Sequence, residues 1–216
     1  MLLFSISGAI AMVYEVAWFR LLGSTLGPSV YAFSCMLAVY LAGIGLGSAL
    51  AAPRLERWSG WRSVWALECA IALLGLSGLF VAGRLPDLHL ALQGALLPSL
   101  GASGFALGQA MVAACLVFLP CLASGAVFPA TLRALEERRL DQSTAPANSS
   151  ARAVGILYFG NTVGSIAGSL LAGFVLLPRL GVWRAIEVAA VASALLASLA
   201  WFFVSRSSRA RVLSVL

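Results

Sequence analysis

The chain has 216 residues, of which 61% are hydrophobic and only 10% charged, and its mean hydropathy is +0.98. Soluble domains carry about 25% charged residues, so this composition excludes a mostly water-soluble protein and leaves a membrane protein with little soluble mass. The net charge of +6 comes from 14 arginines and no lysine. They cluster in short loops between apolar stretches, which makes the charge an orientation signal rather than a nucleic-acid surface.

In chain order, the N-terminus MLLFSISGAIAMVYEVAWFRLLG lacks a basic leading region and carries Glu15 in its middle. It reads as a retained first helix rather than a cleaved signal. A bilayer crossing needs about 20 residues at about 1.5 Å each. On that measure six spans are predicted, over 2–22, 29–51, 63–83, 105–130, 154–178 and 182–204, with a basic tail at 205–216. Arg54, Arg57 and Arg62 follow the second span, Arg133, Arg138, Arg139 and Arg152 the fourth, and Arg206, Arg209 and Arg211 the sixth. Only Arg20, Arg84, Arg179 and Arg184 fall on the other side. The positive-inside rule then places both termini in the cytoplasm, and a bacterial inner membrane is the expected location.

Two connections are more than turns. Pro86–Gly104 is too apolar for a free loop and too interrupted to span, so an interfacial or re-entrant piece is expected. Ala134–Ala153 begins as a charged helix extension and ends in a polar linker. The second span leaves the membrane as GSALAAPRLERWSGWR and the fifth as GSLLAGFVLLPRLGVWR. The shared Gly-Ser, Pro-Arg-Leu and Trp-Arg, met in opposite directions, read as a 3+3 inverted repeat.

Small residues recur along the fifth span, with Gly160, Gly164, Gly168 and Ala172 on one helix face. Such a ridge admits close approach of another helix, in the same chain or in a partner. Gly43 and Gly47, in GIGLGS, lie inside a hydrophobic span and read as packing residues rather than a nucleotide loop. Cys35, Cys69, Cys115 and Cys121 all fall in apolar spans and read as packing residues. His89 is the sole histidine, which argues against a His-pair metal site; no metal and no cofactor is expected.

An ionised carboxylate in hydrocarbon costs about 2.5–3.5 kcal/mol even on the lenient insertion scale, so Glu15 and Glu68 stand out. Helix rise puts Glu15 toward the outer side and Glu68 toward the inner side, with Asn161 within reach of the depth of Glu68 and Gln109 of that of Glu15. Two polar layers that bind a cation or pass a proton are one reading. Cross-helix hydrogen bonding, such as Glu15 with Arg20, is the other. Tyr14 and Tyr158 accompany these groups. Glu187 is one turn from Arg184, a spacing that permits a surface pair. Pro120 removes a backbone donor from the fourth span, where a kink or local opening is expected.

Four stretches together resemble the membrane portion of the spermidine-synthase-like (fused major-facilitator/spermidine synthase) integral membrane proteins. They are SGAIAMVYEVAWFRLLGSTLGPSVYA (Ser7–Ala32), LAGIGLGSALAAPRLER (Leu41–Arg57), ASGAVFPATLRAL (Ala123–Leu135) and VGILYFGNTVGSIAGSLLAGFVLLPRLG (Val154–Gly181). The resemblance implies an all-α bundle like half of a major-facilitator fold, with Tyr14, Glu15, Trp18, Arg20, Glu68, Tyr158, Asn161 and Thr162 characteristic. Family members usually continue into a cytoplasmic aminopropyltransferase domain. That domain's cofactor loop and substrate-binding acids have no counterpart here, and Glu56 stands where such loops often carry Asp. The 216 residues are therefore expected to be non-catalytic as they stand.

Three readings follow. The chain is an anchoring or scaffolding module, with a soluble aminopropyltransferase as the implied partner. Alternatively, it is a small secondary transporter of a polyamine-like or other solute, working as a homodimer around Glu15 and Glu68. In the third, it is a structural subunit held in a larger membrane complex by the Gly160–Ala172 ridge. All three place it in the lipid bilayer, with no nucleic-acid partner.

Overall fold

The computed structural model describes residues 2–51, 53–54, 60–140 and 149–213, and helix is the only regular structure among them. The elements are α1 (Leu2–Leu26), α2 (Val30–Ala51), α3 (Gly60–Ala82), α4 (Leu85–Leu140), α5 (Ser149–Leu171), a π-helical turn (Ala172–Leu176) and α6 (Leu177–Leu213). Where six spans are predicted, five helical stretches among the described residues are long and apolar enough to cross a membrane. The difference lies in the last one, Val154–Phe202, which joins the predicted fifth and sixth spans. Large apolar side chains such as Phe80 (86% exposed), Phe174 and Leu195 cover the outside. Lipid, not water, is the solvent that accepts such a surface. This is an all-α, multi-pass membrane protein.

Local sequence sets the helix ends. Gly27 takes a φ of 86° just past α1, the left-handed conformation in which a glycine ends a helix, and Pro28 follows it. Ser29 then caps α2 by accepting the Ala32 N–H at 3.0 Å. The α3 start is held from outside its own helix: the Gly60 N–H donates to the Glu137 carboxylate at 3.0 Å, where the helix dipole favours negative charge. Arg133 stands 3.6 Å from the same carboxylate.

Two glycines break the long helices. At Gly101 (φ 55°, ψ −132°) residues 85–100 fold back on the start of the fourth span, where Gln93 donates to the Phe105 carbonyl at 3.1 Å. Pro86–Gly104 is thus helical on both sides of one reversal. At Gly181 (φ 78°, ψ 174°) the backbone again leaves the helical region. Val182 lies beside Val16, Phe19 and Arg20, whereas Leu196 and Ala200 lie beside Leu3, Phe4 and Ser7, so the chain after Gly181 runs back along α1. Pro120 causes no such break: α4 keeps helical dihedrals there, and Ser124 donates to the Pro120 carbonyl at 3.0 Å. Neighbouring helices and local side chains stabilise proline inside membrane helices.

Helix pairing follows the small residues. Gly164 and Gly168 of α5 sit directly on the carbonyls of Ser5 and Ala9 of α1, and Gly160 lies on the Ser5 side chain. Gly47 of α2 sits on the Leu122 carbonyl of α4, Gly43 sits on Cys121 and the Phe118 carbonyl, and Gly125 of α4 returns the contact on Ile44. In each pair the contacts advance together, so α5 runs parallel to α1 and α2 parallel to α4. α3 packs against α4 and α6, and α6 against α1, which places α1 at the centre. The predicted ridge therefore finds its partner inside the chain.

Candidate intramembrane polar site

On α3, Glu68 is only 1% exposed. Its Oε1 accepts a hydrogen bond from the Ser7 hydroxyl of α1 at 2.6 Å, a short charge-assisted contact if the acid is ionised. Gly8, the next residue of α1, receives Asn161 of α5 on its open face. Asn161 therefore shares the depth of Glu68 but stands on the other side of α1.

Two turns further along α1, Tyr14 is 1% exposed and its phenol ring reaches onto Gly75 of α3, where no larger residue leaves it room. The ring stacks on Trp18, with centroids 4.9 Å apart. Its hydroxyl faces Ser193 of α6, yet neither oxygen makes a hydrogen bond of good geometry. Glu15 follows Tyr14 in sequence and faces the opposite way, toward α2 and α4, where the Tyr40 hydroxyl donates to it. It is half-buried and borders a cavity of about 10 Å³ lined also by Trp18, Phe19, Leu22, Met36, Tyr40 and Val117. On this measure of volume, that is room for about one water. Ser7 and Glu15 are eight residues apart on one helix, so the two acids lie about 12 Å apart in depth.

A second small cavity, of about 30 Å³, runs from Trp61 and Leu135 past Thr131 to Ser7. Ser7 lines it, whereas the Glu68 carboxylate does not. The polar ladder from the N-terminal end of α1 is thus Thr131, Ser7 with Glu68, then Tyr14 with Ser193, then Glu15 with Tyr40. Its side-chain polar atoms are all oxygen, the donor type that suits a proton or a hard cation.

Several expectations need correcting. Arg20 does not pair with Glu15; it is exposed and lines a separate cleft. Gln109 lies well beyond Glu15, where its Nε2 donates to the Leu26 carbonyl at 3.4 Å. Tyr158 is 67% exposed and points away from the site, and the Thr162 hydroxyl beside it bonds back to the Tyr158 carbonyl. Arg184 and Glu187, both exposed, form no ion pair among the described residues. His89 packs edge-on to Phe105. Among the described residues no cluster of His, Cys, Asp and Glu is placed to hold a metal. Sequence reasoning missed Ser7, Tyr40 and Ser193. Tyr40 and Ser193 each stand in a long apolar stretch, a signal available in the sequence; Ser7 looked like an ordinary small residue.

Searches against models of known families, curated proteins and solved structures found no match to this chain.

Proposed function

We propose that this chain is one half of a proton- or monovalent-cation-coupled carrier for a small solute. The half is a six-span module of a bacterial inner membrane with both termini in the cytoplasm, completed by a second copy. The observation that carries this reading is Glu68, a carboxylate in the middle of the bundle engaged by a single hydroxyl. A purely structural bundle gains nothing by burying an acid that costs about 2.5–3.5 kcal/mol to insert. Glu15 repeats the arrangement about 12 Å farther along α1.

The module is read as a 3+3 inverted repeat, with its sixth span starting at Gly181. Exchanging α1 with α4, α2 with α5 and α3 with α6 maps the main helix contacts onto one another. The close contacts follow the same exchange. Gly43 and Gly47 cover the carbonyls of Phe118 and Leu122, and Gly164 and Gly168 cover those of Ser5 and Ala9, at the same four-residue spacing. Carriers of this construction place their binding groups near the midplane.

The test is uptake into proteoliposomes with an imposed proton or sodium gradient, using the wild type and Glu15→Gln/Glu68→Gln. The double variant is expected to remain folded and to lose gradient-driven uptake. Wild-type vesicles that move no solute from a panel of polyamines and other small cations, or a double variant as active as the wild type, would reject the carrier reading.

A second reading, the non-catalytic anchor for a soluble aminopropyltransferase, is supported by the four resembling segments. Two of their motifs meet where Asn161 covers Gly8. Mild-detergent native mass spectrometry distinguishes it: a bound soluble enzyme supports the anchor, and a homodimer supports the carrier. The structural-subunit reading loses its basis, since the ridge is occupied by α1. Gly164→Leu is now expected to unfold the bundle rather than release it from a complex.

A further inference from the structure

An open cleft of about 650 Å³ lies between the later part of α1 and the Gly181 reversal. Its walls are Val16, Phe19, Leu177 and Val182, with Gly173 and Pro178, and Arg20 is its single charged lining residue. Three costly features converge here. The π-helical turn Ala172–Leu176 is a rare irregularity, and it buries Ala172 against the core while leaving Gly173 at the cleft. Gly181 adopts a positive φ at one edge. Arg20 lies six residues before the end of α1, about 9 Å inside it, so its guanidinium must reach up toward the headgroup level. Among the described residues no acid pairs with it: Glu15 faces Tyr40, and Glu187 is not among the lining residues. Arg179 and Arg184, both exposed, add positive charge beyond the rim.

We infer that this cleft is a binding site for one anionic membrane phospholipid. Arg20 holds the phosphate and an acyl chain lies along Val16, Phe19, Leu177 and Val182. The charge and the wall chemistry select this occupant. A guanidinium presents paired donors that match phosphate oxygens. The remaining walls are apolar, the surface an acyl chain takes. The inference does not depend on the carrier reading.

The experiment is native mass spectrometry of the full chain in mild detergent, titrated with phosphatidylglycerol or phosphatidylcholine. One phosphatidylglycerol per chain is expected, retained at least ten-fold better than phosphatidylcholine. Arg20→Gln is expected to remove that preference. Gly173→Leu is expected to remove retention of the lipid; a Cβ at Gly173 meets nothing within 4 Å, so the new side chain enters the cleft without disturbing the fold. Arg62→Gln, which removes an exposed charge from the start of α3, is expected to bind as the wild type does. Equal retention of the two lipids, or undiminished phosphatidylglycerol binding in Arg20→Gln and Gly173→Leu, would overturn the site. Displacement of the lipid by inorganic phosphate would overturn it in favour of a soluble anion. A dimer abolished by Gly173→Leu, without lipid retention in the wild type, would overturn it in favour of a second copy.

Discussion

Glu15 on α1 and Glu68, packed against α1 from α3, are the same side chain, and the bundle treats them differently. On the α3 and α6 side of α1, Glu68 is sealed, with Ser7 as its partner and Tyr14 pressed onto Gly75 two turns away. On the α2 and α4 side, Glu15 is half-buried, bonded to Tyr40 and beside a cavity with room for about one water. The two acids differ in depth as well as in face, and the packing around each face accounts for how its carboxylate is held. A sealed acid is part of the packing as well as of the chemistry; an acid beside a water-sized space can be altered chemically while the packing stands.

The largest effect expected from that contrast is at Glu68. Glu68→Ala removes volume from a closed site and strands the Ser7 hydroxyl, with a cost of about 2–5 kcal/mol of the kind seen for large-to-small changes in cores. Glu68→Gln keeps the volume and an acceptor for Ser7, so it is expected to unfold near the wild-type temperature in detergent. Glu15→Ala is expected to cost clearly less than Glu68→Ala, because water can enter at the cavity. Equal losses for the two alanine variants would abolish the distinction between a sealed and a hydrated acid.

Ser7→Ala comes next. It leaves a buried carboxylate without its one hydrogen bond, and about 1–3 kcal/mol is expected to be lost. Combining it with Glu68→Leu removes both polar partners, and the pair is expected to recover part of that loss, as replacing both members of a buried polar contact often does. A double variant no more stable than Ser7→Ala would show that the Ser7–Glu68 bond is not what orders this side of α1.

Much of this was legible in the sequence because lipid imposes simple rules. The apolar runs located the helices, and the four-residue spacing of Gly160, Gly164 and Gly168 announced a close helix contact. What the spacing could not supply was the partner, since the Ser5 and Ala9 carbonyls that receive the glycines are backbone groups any residue offers. The acids were visible from their cost in hydrocarbon. Their partners were not: Arg20 is nearer to Glu15 in sequence than Tyr40, yet helix geometry turns Arg20 to an open cleft while α2 brings Tyr40 across. Gln109 fell short because the helix pairing sets it against the last residue of α1, at the Leu26 carbonyl, rather than against Glu15. The break within the last apolar stretch, Val154–Phe202, lies at Gly181, one residue whose backbone conformation no hydropathy pattern reports.

The smallest expected effect is also the sharpest test of the comparison. Tyr40→Phe removes one hydroxyl from Glu15, and a water in the adjoining cavity can take its place, so about 0.5–1.5 kcal/mol or less is expected to be lost. Reactivity should change more than stability. A hydrophobic carbodiimide, which modifies protonated carboxyls reached from lipid, is expected to label Glu15 in the wild type and to spare Glu68 behind its packed helices. Tyr40→Phe, by freeing the Glu15 carboxyl, is expected to quicken that labelling several-fold and to leave Glu68 unlabelled. Peptide mapping by mass spectrometry reads both sites in one experiment. Labelling of Glu68 at the rate of Glu15 would mean that the α1, α3 and α6 side opens as readily as the other. The polar ladder would then be reachable from lipid at both acids, and the sealed layer would have no special part in the bundle.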